Sequence, residues 1–99
     1  MLLERAELLA QAGAEAEMRT VLTERTLPIL LAQPGVRSAN VGQGVENPDK
    51  FLLLVEWESL EAHRAFNQAP IATEFRAMLA AVSRGGAMEH FAMDAPATA

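Results

Sequence analysis

Few residues in this chain can do chemistry, and their types narrow what that chemistry is. Among 99 residues there are two histidines, one tryptophan and no cysteine. Without a thiol there is no disulfide framework, no thiolate nucleophile, no Cys-bound zinc and no iron–sulfur cluster. His63 and His90 are far apart, with none of the short spacings that set two ligands on one element, so the sequence predicts no metal site. His63 has two readings, as a general base or as a partly buried, hydrogen-bonded side chain, and His90 has two others, as a cavity-lining residue or as a satisfied core residue. His63 lies three residues after Leu60 and three before Phe66, on the flank of a short helix. His90 shares a strand face with Met88 and Ala92, where it lines an interior cavity or sits near a dimer seam. Trp57 ends an apolar strand just before a helix cap, where it walls a cavity between sheet and helices or fills core volume.

Other polar groups are less pointed. Arg76 stands beside the apolar stripe of the last helix, and Ser38 and Asn40 alternate in the second strand. Either set could donate hydrogen bonds to a carbonyl or phenol oxygen, while surface solvation explains Arg76 as well and a turn or edge preference explains Asn40. Met78, Met88 and Met93 suit an adaptable apolar pocket or plain core filling. Gly42 and Gly44 are followed by no helix, so they make no phosphate loop and are expected to mark a bulge or edge twist. No nucleophile elbow and no carboxylate pair of the glycosidase kind is present.

These residues need elements to hold them. LLERAELLAQ places Ala6, Leu8 and Ala10 on one side and Glu7, Leu9 and Gln11 on the other, a strand that stops at Gly13. From Ala14 the period becomes helical through Met18, Val21 and Leu22, and Pro28 should end that helix near Arg25 or restart it with Thr26 as N-cap. VRSANVGQGV and FLLLVEW, joined through Asn47-Pro48-Asp49, read as a β-hairpin. Ser59 is a good N-cap for a short helix through Ala62, Phe66 and Ala69 that Pro70 interrupts. Ile71, Phe75, Met78, Leu79 and Val82 form the fullest helical stripe, with Gly85-Gly86 as its stop, and MEHFAM is a last strand.

Strand, helix, strand, strand, helix, strand is the α+β, ferredoxin-like split βαβ order, an antiparallel sheet with both helices on one face. The expected domain is 1–93, with 94–99 a disordered tail. Phe51, Leu53, Val55 and Trp57 share one side of the third strand, yet Leu52 and Leu54 make the other side apolar too. A bare apolar sheet face is rarely tolerated, so a homodimer packed sheet on sheet is expected. Eight Lys and Arg against thirteen Asp and Glu give a net charge of −5, which argues against nucleic acid and anionic membrane as partners. Apolar runs too short for a bilayer, and Glu4-Arg5 so soon after Met1, predict a soluble, cytoplasmic protein.

The stretch from Pro34-Gly35 through the Asn-Pro-Asp turn, Glu56-Trp57-Glu58-Ser59 and Glu61-Ala62 to the terminal Glu89-His90-Phe91 resembles the antibiotic biosynthesis monooxygenase domain. Ala12-Gly13-Ala14-Glu15 is similar to that family's Pro-Gly-x-Glu, with alanine in place of proline. The resemblance implies a dimeric α+β barrel. One branch implies a monooxygenase that oxidises a small electron-rich aromatic or quinol with molecular oxygen and needs no metal, flavin or haem. Trp57 matches the strand-end tryptophan of the family. His63 and Asn40 join it as catalytic candidates, and Trp57, as the first choice for lining the substrate pocket, is joined by Phe66, Arg76 and His90 as substrate-binding ones. A haem-degrading branch would ask for a tryptophan and a ligating histidine where this chain has Phe66 and Arg76. These departures keep open a second reading, a non-catalytic dimeric binding module for a hydrophobic metabolite.

Overall fold

The computed structural model describes Met1–Ala99. Its elements run β1 (Leu2–Ala10), α1 (Glu15–Thr20), a π-helical segment (Val21–Thr26), α2 (Leu27–Leu31), β2 (Val36–Gln43), β3 (Lys50–Trp57), α3 (Leu60–Gln68), α4 (Pro70–Ala80) and β4 (Ser83–Ala92). The four strands form one antiparallel sheet in the order β2-β3-β1-β4. This is the ferredoxin-like α+β arrangement that the element order implied. No helix is long and apolar enough to cross a membrane.

Alternation decides which side of the sheet the helices take. Along β3, Phe51, Leu53, Val55 and Trp57 are all buried while the residues between them are only partly so. They join Ala6 and Ala10 of β1 with Met18, Leu22, Leu30, Phe66, Ala72, Phe75 and Met78 from the helices in one core. The opposite face carries Leu3, Leu9, Leu52 and Leu54, half-buried without a helix over them. It is more polar than the sequence suggested, because Arg5 pairs with Glu7 at 2.6 Å and reaches Glu89 at 3.7 Å across it. These residues share that face with Leu54 and Leu52 through the β1–β3 register.

Three local features differ from expectation. The first helix does not end near Arg25; a new helical segment, α2, starts at Leu27 with Thr26 at its N-cap position and Pro28 in its first turn, but without a break in the helical course. The chain stays helical to Leu31 through the π-helical segment Val21–Thr26, and Pro28 falls in the first turn of α2, where its missing N–H is tolerated. Thr26 is helical and its hydroxyl caps nothing. Gly85-Gly86 does not stop α4, which ends at Ala80; both glycines lie inside β4. A Cβ at Gly86 would strike the Glu7 carbonyl, so the glycine is what lets β4 close on β1 there. The irregularity in β2 falls between Val36 and Ser38, not at the glycines. Residues 94–99 carry no regular secondary structure and are exposed.

Two junctions place α3. Ser59 is extended, and its hydroxyl accepts from the Ala62 N–H at 3.1 Å, fixing where the helix starts. Gly35 has φ of 86°, where glycine is favoured, and any Cβ on it would meet that of Ala62. The Glu58 N–H donates to the Gly35 carbonyl at 2.7 Å, so the turn before β2 clamps the first turn of α3.

Candidate functional site

Antiparallel register brings together residues that the sequence holds far apart. Glu4 on β1 lies opposite Val55 of β3 on one side and opposite His90 of β4 on the other. Its face of the strand is the helix-covered one, so a carboxylate stands where Ala6, Leu8 and Ala10 otherwise face the core. Trp57, fully buried, donates its indole Nε1–H to Glu4 Oε1 at 2.9 Å. This hydrogen bond partners the carboxylate that burial would otherwise penalise.

His63 comes down onto the same spot from α3, whose buried residues are His63 and Phe66, one turn apart. Its Nε2 lies 3.4 Å from Glu4 Oε1, 3.2 Å from His90 Nε2 and 3.5 Å from Asn67 Nδ2. The imidazole rings of His63 and His90 meet edge to face at 4.4 Å, and the Trp57 ring stands 5.3 Å from His63, again edge to face. His63 is only 5% exposed, whereas His90, on the uncovered edge strand, is exposed. Burial holds the His63 imidazolium below its ordinary 6.5; Glu4 pulls it back up, and His90 and Arg64 push it further down. A neutral imidazole is therefore the resting form near neutral pH, with a lone pair free on one ring nitrogen.

Beside this cluster a cavity of about 380 Å³ opens between the sheet and α3 and α4. Glu4 and Asn67 belong both to its wall and to the cluster, while Phe66, Phe75, Arg76 and Met88 form much of the rest. Phe66 and Phe75 pack edge to face at 5.2 Å and make that part of the wall aromatic. Arg76 is the cation on that wall.

The sequence-predicted residues thus separate. His63, His90 and Trp57 come together in one cluster, and Phe66 and Arg76 line the adjoining cavity. Trp57, His63 and His90 stand behind Glu4 and do not themselves line the cavity. Asn40 is not brought to the site. It pairs with Leu54 on the far face of the sheet, and its Oδ1 accepts from the Val41 N–H at 2.9 Å. Glu4 and Asn67 were missed. A signal for each existed: Glu4 is the lone charge in the alternation Leu2, Glu4, Ala6, Leu8, Ala10, and Asn67 is one helical turn beyond His63.

A family model for antibiotic biosynthesis monooxygenases matches residues 1–78. The chain belongs to that family. Antibiotic biosynthesis monooxygenase folds are also what it resembles among solved structures. SnoaB, a cofactor-independent oxygenase from Streptomyces nogalater, is 19% identical with a TM-score of 0.85, over 96% of this chain and 94% of that one. A protein assigned to the antibiotic biosynthesis monooxygenases from Deinococcus radiodurans is 18% identical with a TM-score of 0.87, over 100% and 98%. Another so assigned, from Bordetella bronchiseptica, is 22% identical with a TM-score of 0.84, over 95% and 97%. At these identities the likeness carries the fold. A comparison with curated proteins finds no match. The match to the family ends within α4, so β4 and its His90 lie beyond it.

Proposed function

We propose that this member of the family is a cofactor-independent monooxygenase that oxidises a small electron-rich aromatic or quinol with molecular oxygen. The observation that carries the reading is the neutral, buried His63 next to Glu4 at one end of an apolar cavity with aromatic walls. A flat ring fits between Phe66 and Phe75 and the sheet. An acidic C–H or phenol O–H directed at the Glu4 end gives its proton to the Glu4 carboxylate, which passes it on to His63 Nε2, 3.4 Å from Glu4 Oε1. Arg76 supports the oxyanion left behind.

The resulting carbanion or enolate reduces oxygen itself. For a ring methylene, both hydrogens leave, one oxygen atom becomes the new carbonyl and the other departs as water. All four electrons come from the substrate, so the protein need only bind, deprotonate and keep water out. In this scheme Trp57 is a positioning residue that acts through Glu4.

The protein is further proposed to work as a homodimer with sheet packed on sheet, supported by Leu3, Leu9, Leu52 and Leu54 on the face that no helix covers. Light scattering after size exclusion should give twice 10.7 kDa, and a monomer at micromolar concentration would refute this part. Oxygen uptake with a panel of anthrones and naphthols in the presence of a chelator tests the chemistry. Turnover is expected for the native chain and is expected to fall by at least about a hundredfold, the worth of a general base, in His63→Ala. Tight binding of the same compounds without product would favour the non-catalytic binding module instead.

A further inference from the structure

We infer that Glu4, His63 and His90 form a binding site for one divalent first-row transition-metal ion of the zinc type. The inference goes beyond the oxygenase reading and does not rest on it. Three groups on three elements aim their ligand atoms at one point: a carboxylate from β1, an imidazole from α3 and an imidazole from β4. All three atoms lie within 4.8 Å of one another, and two of the separations are 3.4 and 3.2 Å. Ligands at zinc–nitrogen bond lengths in a tetrahedron stand about 3.3 Å apart. The remaining separation closes by a small turn of His90, the exposed member on the edge strand.

Lone pairs supply the second argument. Glu4 Oε1, His63 Nε2 and His90 Nε2 are crowded onto the same small volume, and each is an atom that can present a lone pair to a cation. A single shared proton can bridge two of them. A divalent cation satisfies all three together. Two imidazoles and one carboxylate are also a donor set that zinc and its neighbours take in preference to calcium or magnesium.

Outer-sphere support is already built. The Trp57 Nε1–H holds Glu4 Oε1 at 2.9 Å and fixes the carboxylate's orientation. Glu4 also borders the cavity, so one of the three ligands is shared between this site and the space where a small molecule would lie. A metal there takes the lone pair of His63, so metal loading and proton abstraction by that imidazole exclude each other.

The test is titration of the full chain, freed of metal by chelator, with Co2+ alone and then Zn2+ alone. Visible d–d absorption reports coordination geometry and calorimetry reports stoichiometry. Expected are one ion per chain and tetrahedral or five-coordinate cobalt bands that zinc displaces. Glu4→Gln and His90→Ala should each weaken binding. Loss of outer-sphere partners alone costs about 10- to 100-fold in affinity, so loss of a ligand should cost at least that much. Both variants are expected to fold, since the amide can still accept from Trp57 and His90 is exposed; circular dichroism checks this. No saturable binding at millimolar metal, or weakening by only one of the two substitutions or by neither, would overturn the site. Oxygen uptake is measured with chelator present, so failure of either reading is seen separately.

Discussion

The hydrogen bond between Trp57 and Glu4 can be weighed with a double-mutant cycle. Trp57 is fully buried, and the Glu4 side chain is 13% exposed, so neither group can exchange its partner for bulk water without disturbing the structure. A hydrogen bond to a charged group in such a place contributes about 1.5–3 kcal/mol. Trp57→Phe keeps an aromatic ring in the core and removes the donor; Glu4→Leu keeps comparable bulk and removes the acceptor. Trp57→Phe alone should destabilise the fold by at least about 2 kcal/mol, a fall of roughly 8–16 °C in Tm for a domain of this size. The packing loss is common to both arms of the cycle, so the coupling should return the bond itself, about 1.5–3 kcal/mol. Urea unfolding at one fixed protein concentration gives the four values, the concentration being held because association would add to stability. A coupling below about 0.5 kcal/mol is what independent sites give and would refute the claim that Trp57 holds the carboxylate.

Two further outcomes follow from buried polar groups. Thr26 Oγ1 is buried with no hydrogen-bond partner, so Thr26→Val should stabilise the protein by about 1 kcal/mol in urea unfolding, and a loss of stability would show that the hydroxyl is satisfied. Between the lowered native value of His63 and its ordinary 6.5, the unfolded chain holds a proton that the folded chain has shed. Stability should therefore fall as pH drops through that window and level off above it. The acid sensitivity should be smaller in His63→Gln, and equal slopes in the two proteins would count against the assignment.

Local patterns in the chain carried most of the architecture. The alternation of Phe51 to Trp57, the Ser59 cap and the Pro70 break are each set by neighbours a few residues away, and each is found where the pattern puts it. The first helix was harder, because a proline in a helical pattern argues for an end. Only the packing of Leu22 and Leu30 on one core favours carrying the helix past it. Gly85-Gly86 misled for a similar reason: a pair of glycines after a helix signals a stop, and the need for a bare Cα against Glu7 is invisible before β4 is paired. The site was legible in its parts and not in its assembly. His63, His90 and Trp57 could be singled out as types, whereas their meeting at Glu4 depends on the register Leu2↔Ala92 and Leu2↔Trp57, which no short spacing encodes. Asn40 shows the reverse case, a plausible donor whose register turns it to the far face.

His90 rides on a strand bonded to the sheet along β1 alone, with the opposite margin of β4 open. Such a border peels away at far lower free energy than the interior unfolds, so one wall of the cluster has a lifetime set by local opening and not by the melting of the domain. Amide exchange along Met88 to Ala92 should run well ahead of that along Leu53 to Val55. Whatever occupies the space beside Glu4, proton, ion or flat ring, would then slow that exchange by pinning the strand, giving a hydrogen-exchange signature of occupancy that needs no turnover to read.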